Sequence, residues 1–191
     1  MEQPRASRPS SVRSRTSYAG RMATIIRTAR SSDADAVQRI EDDADQLLID
    51  RLHPEVWSPA PHGSARLSEP GFLLVADVDG EVAGFVHVLE VEGVCHLEQL
   101  SVRPSRARRG LGRALVESAK DRARVRGHDR ISLRTYADVP WNAPFYATAG
   151  FAEEEPVTCF HRSLLEVEAR HGLDRYGRRV QMGAPLGASR P

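Results

Sequence analysis

The chain has 191 residues, 40% of them hydrophobic and 28% charged, with a formal net charge of +1. That length suffices for one domain with a full core and argues against a second. A balance so close to neutral speaks against a dedicated nucleic-acid binder, and no apolar run approaches the roughly 18 to 20 residues of a membrane span. The charge is uneven: residues 1–21 carry five arginines against Glu2, which leaves the remainder at about −3. This Arg/Ser-rich stretch lacks the apolar segment of a secretory signal and is read as a disordered tail, with a single domain over 22–186. Cys95 and Cys159 form no CxxC pair. Neither zinc nor a disulfide scaffold is indicated, and a cytoplasmic location fits.

Folded sequence begins with a short β-like run at 23–27. Ser32 or Asp33 then offers an N-cap for a helix with Ala36, Val37, Ile40, Ala44, Leu47 and Leu48 at helical spacing. Residues 52–70 break that period with Pro54, Pro59, Pro61, Gly63 and Pro70, and read as an irregular connection with room for one helical turn. Apolar runs at 72–78 and 82–89 flank Asp79-Gly80, a hairpin signal, and Glu92-Gly93 turns the chain into a strand at 94–102. A helix is predicted over 110–126, a strand over 131–135, and a short helix over 142–149 closed by Gly150. A strand within 151–160, a helix over 161–171 and a last strand over 179–182 follow. Fraying is expected from Gly183, and residues 187–191 are placed outside the domain. The helix between strands 94–102 and 131–135 lets those two run parallel, whereas the hairpins make the earlier pairs antiparallel. The expected class is α/β (α+β), a mixed and mostly antiparallel sheet flanked by helices.

Residues 97–113, LEQLSVRPSRARRGLGR, carry the strongest functional signal. An apolar strand passes through Val102 and Pro104 into an arginine-rich turn with Gly110 and Gly112. A helix follows, with Leu111, Ala114, Leu115 and Ala119 on one stripe. Glycines let backbone approach an anion, and the helix aims its free N–H groups at the same point. A dinucleotide fingerprint requires a small residue where Leu115 stands, and a Walker loop requires Gly-Lys-Ser/Thr where the chain has Gly112-Arg113-Ala114. Both fail.

The pattern resembles the acyl-coenzyme A loop of the GNAT superfamily of N-acyltransferases, usually V-x-P-x-x-R/Q-x-x-G-x-G/A. Val102, Pro104, Gly110 and Gly112 match, and Ala107 departs from the usual Arg or Gln. A second segment, DVPWNAPFYATAGF at 138–151, resembles the superfamily's Tyr-x-x-x-Gly-Phe ending at Tyr146, Gly150 and Phe151.

The resemblance implies a GNAT-like sheet in which a splayed parallel strand pair holds acyl-coenzyme A. It implies acetyl transfer from acetyl-coenzyme A, as co-substrate, to a primary amine within a ternary complex, with no metal. Its partners would be acetyl-coenzyme A and the amine, without membrane or nucleic acid, and a homodimer is compatible. Main-chain groups of Leu100 and Val102 would pair with the pantetheine arm, and Arg108, Arg109, Gly110, Leu111, Gly112 and Arg113 would face the pyrophosphate. Tyr146 would protonate the leaving thiolate. Asn142 either contacts the coenzyme or merely caps its helix, and Trp141 either lines the acceptor pocket or fills the core. Glu98 and His96 share a strand face, so either is a candidate base for the attacking ammonium. The acidic run Glu41, Asp42, Asp43 and Asp45 is a candidate attractor for a cationic amine. An acyl-coenzyme A-binding module without catalysis is the alternative.

Overall fold

The computed structural model describes residues 23–187. The N-terminal tail of 1–21 and the last residues, 188–191, lie outside the described residues. Seven strands form one sheet: β1 (Thr24–Thr28), β2 (Gly71–Val78), β3 (Glu81–Val91), β4 (Val94–Val102), β5 (Arg130–Tyr136), β6 (Ala152–Glu153) and β7 (Arg179–Pro185), in the order β1-β2-β3-β4-β5-β7-β6. The helices are α1 (Ala34–Leu52), α2 (Gly63–Ser68), α3 (Leu111–Val125), α4 (Ala143–Thr148) and α5 (Cys159–Arg170). Asp79 and Gly80 both take positive φ, 53° and 88°, and so do Glu92 and Gly93 at 52° and 79°. Two-residue turns of that hand match the twist of the flanking strands, which makes β2, β3 and β4 a meander.

The parallel pair is short. β4 registers with β5 only at His96↔Ser132 and Leu97↔Leu133, while β5 pairs with β7 along its whole length, Arg130↔Pro185 to Tyr136↔Arg179. Beyond Leu97 the two strands part, so a mostly antiparallel sheet opens at its one parallel seam. α3 is the crossover between them. It buries Leu111, Leu115, Val116, Ala119 and Ala123 against Val86, Val88, Leu97 and Leu133. α1 covers the other face with Val37 and Ile40 against Leu73, Val75 and Phe85. No helix among the described residues is long and apolar enough to cross a membrane.

Three sequence expectations change, and one is extended. Residues Ser31–Asp33 form a 3-10 turn, and Asp33, which directly precedes α1, makes no side-chain cap bond to it. Its carboxylate accepts instead from the Arg30 N–H at 2.7 Å and from Arg27 at 2.7 and 3.1 Å. The 52–70 connection contains the six-residue helix α2, begun by His62, whose ring accepts the Ser64 N–H. The strand within 151–160 shrinks to the two residues of β6, because Thr158 caps α5 through the His161 N–H and starts the helix early. β7 does not fray at Gly183: Gly183 pairs with Ser132, and Leu186 is 2% exposed with its N–H on the Asp129 carbonyl at 2.8 Å. Those last apolar side chains close the core.

Candidate active site

At the opening of the seam, β4 carries a bulge. His87 faces Gln99 and Val88 faces Leu97, which leaves Glu98 as an extra residue with no partner on β3. The bulge keeps Leu97, Leu100 and Val102 all against the α3-side core despite their uneven spacing. It also holds Glu98 beside His96, with Nε2 and Oε2 3.8 Å apart. Past the bulge, the Arg103 N–H donates to the Ala83 carbonyl at 2.9 Å. Alternation along an antiparallel strand then turns the N–H and C=O of Leu100 and Val102 away from β3, into the gap where β5 has departed.

The loop after β4 prepares the end of that gap. Arg108 and Gly110 sit in the left-handed region, at φ 60° and 82°, and Gly110 directly precedes α3. Left-handed residues leading into a helix point successive N–H groups into one concavity, an arrangement that suits anions. A Cβ on Gly112 would lie 3.6 Å from Phe145 Cζ and 3.9 Å from Val102 Cγ2, so β4, α3 and α4 converge there. Those are ordinary contacts. Of the two, Gly110 alone needs glycine for its conformation. The side chains of Arg108 and Arg109 are exposed. Arg113 is engaged elsewhere: it donates to the Thr148 carbonyl and hydroxyl, both at 2.7 Å, and ties α3 to the end of α4.

The Tyr-x-x-x-Gly-Phe segment is a helix stop. The Phe151 N–H reaches back to the Tyr146 carbonyl at 3.1 Å, the Gly150 N–H to Ala147 at 3.0 Å, and Gly150 takes φ 85°. This is a Schellman motif, and its usual apolar contact is the Tyr146–Phe151 ring pair at 5.7 Å. Tyr146 is thereby held through its carbonyl and its ring. Burial raises the pKa of its phenol, so it keeps its proton at neutral pH. The hydroxyl has no hydrogen-bond partner among the described residues. Asn142 stands at the N-cap of α4 and makes no side-chain cap bond, and its amide has no hydrogen-bond partner among the described residues. Trp141 is 46% exposed and does not fill the core.

Around Glu98 and His96 the surroundings are dense and charged. His96 is 2% exposed, and desolvation, with His161 and Arg134 adding to it, pushes its pKa down to about 3. Glu98 keeps 35% of its side chain open at the bulge, yet desolvation pushes its pKa up, opposed by Arg66 and Arg179. An open but poorly hydrated carboxylate is a stronger base than an ordinary surface one.

Sequence reasoning missed the groups that build this environment. Arg134 and Arg179 both bind Glu168, and Arg66 binds Glu41. No local motif marks them, because each pair joins two different elements, 11 to 34 residues apart. Glu41 is 3% exposed and tied to Arg66, so it is not available to attract an amine. Asp45 accepts from Trp57 at 3.2 Å, whereas Asp42 and Asp43 do line an open recess of about 650 Å³ where α1 meets Arg103, Pro104 and Ser105.

The family model described as acetyltransferase (GNAT) family matches residues 35–151. The chain belongs to the GNAT acetyltransferase family. A mycothiol acetyltransferase of Clavibacter michiganensis subsp. michiganensis is 42% identical over 97 residues, 46% of this chain. The match spans only 30% of that relative's length. An aminoglycoside N(6')-acetyltransferase type 1 of Klebsiella aerogenes is 32% identical over 111 residues, covering 53% of this chain and 72% of the relative. Among solved structures, the PaiA N-acetyltransferase of Thermoplasma acidophilum in complex with coenzyme A superposes with a TM-score of 0.61. It covers 86% of this chain and 99% of its own at 15% identity, a likeness of fold. The splayed seam of β4 and β5 is thus the GNAT arrangement.

Proposed function

We propose that this GNAT acetyltransferase moves an acetyl group from acetyl-coenzyme A to a primary amine by direct attack. The observation that carries the reading is the pair of main-chain edges, Leu100 and Val102, turned away from β3 beside the bulge carboxylate Glu98. Between them they offer an extended donor–acceptor rail for the pantetheine arm and a base for the acceptor. The anion concavity at Arg108–Leu111 fits the pyrophosphate, chiefly through N–H groups. The free amide of Asn142 lies one helical turn before Tyr146 and suits a polar contact with the coenzyme.

In the chemical step Glu98 takes a proton from the ammonium, because only the neutral amine has a lone pair with which to attack. The amine nitrogen bonds to the thioester carbon, and charge developing on the carbonyl oxygen is held by the Leu100 N–H. The C–S bond then breaks and the thiolate takes the Tyr146 proton to become the free thiol, while the acylated nitrogen sheds its surplus proton through water to the phenolate and Glu98 releases its own to solvent. Acetyl-coenzyme A supplied with a panel of primary amines, with free thiol release followed, tests the activity. Acceptor-dependent release is expected, and thermal stabilisation by coenzyme A without turnover of any amine would favour a binding module instead.

A further inference from the structure

Behind Glu98 runs a file of buried polar side chains that crosses β4, β5, β7 and α5. Ser132 Oγ lies 2.9 Å from His96 Nδ1 and 2.9 Å from His161 Nε2. Gln181 Nε2 lies 3.3 Å from His161 Nδ1 and 3.1 Å from Glu154 Oε1. All four inner members are sealed, His96 at 2%, Ser132 at 3%, His161 at 6% and Gln181 at 3% exposure. We propose that the file Glu154–Gln181–His161–Ser132 fixes His96 as its Nε2–H tautomer, and so makes it the hydrogen-bond donor that positions the Glu98 carboxylate. The inference rests on Glu98 being the base.

The direction of every bond follows from its outer end. Glu154 is ion-paired with Arg130, and a carboxylate so paired can only accept. It therefore selects the NH₂ end of the Gln181 amide, whose oxygen is left buried without a partner. The second N–H of that NH₂ faces His161 Nδ1, which must accept. A ring buried in this way is neutral: desolvation, Arg134 and Arg130 all lower the pKa of His161. Its one proton is then on Nε2 and goes to Ser132. The serine hydroxyl has two acceptors in reach, His96 Nδ1 at 2.9 Å and the Cys95 carbonyl at 3.3 Å. The shorter one takes the proton. His96, also neutral, is left with Nε2–H pointing at Glu98 Oε2 across 3.8 Å, a contact of the kind that tightens when substrate binds.

A donor at that point has two consequences. His96 has no lone pair on the side of the reaction, so it is a positioning residue and Glu98 takes the proton. It also favours the ionised carboxylate, with Arg66 and Arg179, against desolvation, Glu69 and Glu168.

The full chain labelled with ¹⁵N-histidine tests this directly through long-range ¹H–¹⁵N ring correlations, the two rings being assigned by loss of signal in His96→Gln and His161→Gln. Both rings are expected neutral with the proton on Nε2. A His96 ring protonated on Nδ1 would overturn the proposal. Kinetics supply the second arm: Ser132→Ala frees the His96 tautomer, so the acid limb of kcat should move up by about half a pH unit or more. KM for acetyl-coenzyme A should stay put. A profile that does not move in a folded Ser132→Ala enzyme would reduce the file to packing. Failure of the underlying reading looks different, since Glu98→Gln would then keep its acid limb while the wild-type tautomers stayed as stated.

Discussion

The two ends of the open seam are built from different parts of the chain. In the proposed reading the loop from Arg103 to Gly112 would bind through main chain, its left-handed Arg108 and Gly110 presenting N–H groups whatever side chains surround them. The bulge end would work through side chains, His96 lying beside Glu98 and joined to Ser132, His161 and Gln181 from three other elements. Binding by backbone tolerates substitution except where a Cβ or a dihedral angle matters. Chemistry by side chains tolerates almost none, because each proton position depends on the next.

The largest expected effects are therefore at the side-chain end. Tyr146→Phe keeps the ring contact with Phe151 and removes only the proton, so coenzyme affinity should hold while kcat falls by roughly a hundredfold to ten-thousandfold. Glu98→Gln should lower kcat on a similar scale at neutral pH, with the loss shrinking as pH rises and the amine arrives already neutral. An unchanged kcat in Tyr146→Phe would leave the thiolate to solvent and make that residue part of the Schellman cap alone.

At the main-chain end the two glycines should separate. Gly110→Val forces a branched residue into the left-handed region, which costs on the order of 1–3 kcal/mol and should lower both stability and coenzyme affinity. Gly112 has no such conformation and its Cβ would make only ordinary contacts, 3.6 Å from Phe145. Gly112→Ala should fold normally, and any loss of coenzyme affinity then reports the bulk added on the ligand's side. Calorimetric titration with coenzyme A beside thermal melts distinguishes the two.

Stability should also depend on pH through the buried histidines. His87 and His96 have pKa values pushed down to about 4 and about 3, chiefly by desolvation. An unfolded histidine titrates near 6.5, so as pH falls below that value the unfolded chain binds protons that the folded chain refuses. Stability is lost in that direction, by about 1.4 kcal/mol per pH unit for each histidine. Glu41, Asp45 and Glu98 have raised pKa values and act oppositely, taking up protons in the fold first and blunting the loss as pH falls further. Urea midpoints between pH 6.5 and 5.5 should fall, and His87→Leu should flatten the slope.

The same contrast explains what could be read from the sequence. Main-chain features leave local marks: Asp79-Gly80 gave the hairpin, Val102-x-Pro104 with Gly110 gave the loop, and Tyr146-x-x-x-Gly150-Phe151 gave the capped helix, each within a few residues. Glu98 and His96 were visible because they are two apart on one strand. Ser132, His161 and Gln181 were not, since they meet His96 only through the β4–β5 and β5–β7 registers and the docking of α5. Leu186 was lost for a related reason: a chain end reads as frayed until its partner, Asp129, is known.

The smallest effect should come from the arginines that dominate the loop's composition. Arg108 and Arg109 are exposed, and an exposed charge is worth about 0–1 kcal/mol once water and salt screen it. Arg108→Ala should therefore weaken coenzyme A binding by roughly two- to fivefold at most, an effect that fades as ionic strength rises and the Debye length contracts. One structural feature favours a gain as well as a loss. Arg108 sits at φ 60°, so Arg108→Gly would relieve that conformation while removing the same charge. If the concavity binds through N–H groups, Arg108→Gly should retain more affinity than Arg108→Ala, though neither carries the guanidinium. Equal, large losses in both variants, persisting at high salt, would mean that the side chain holds the phosphate, and that the two ends of the seam do not divide as argued.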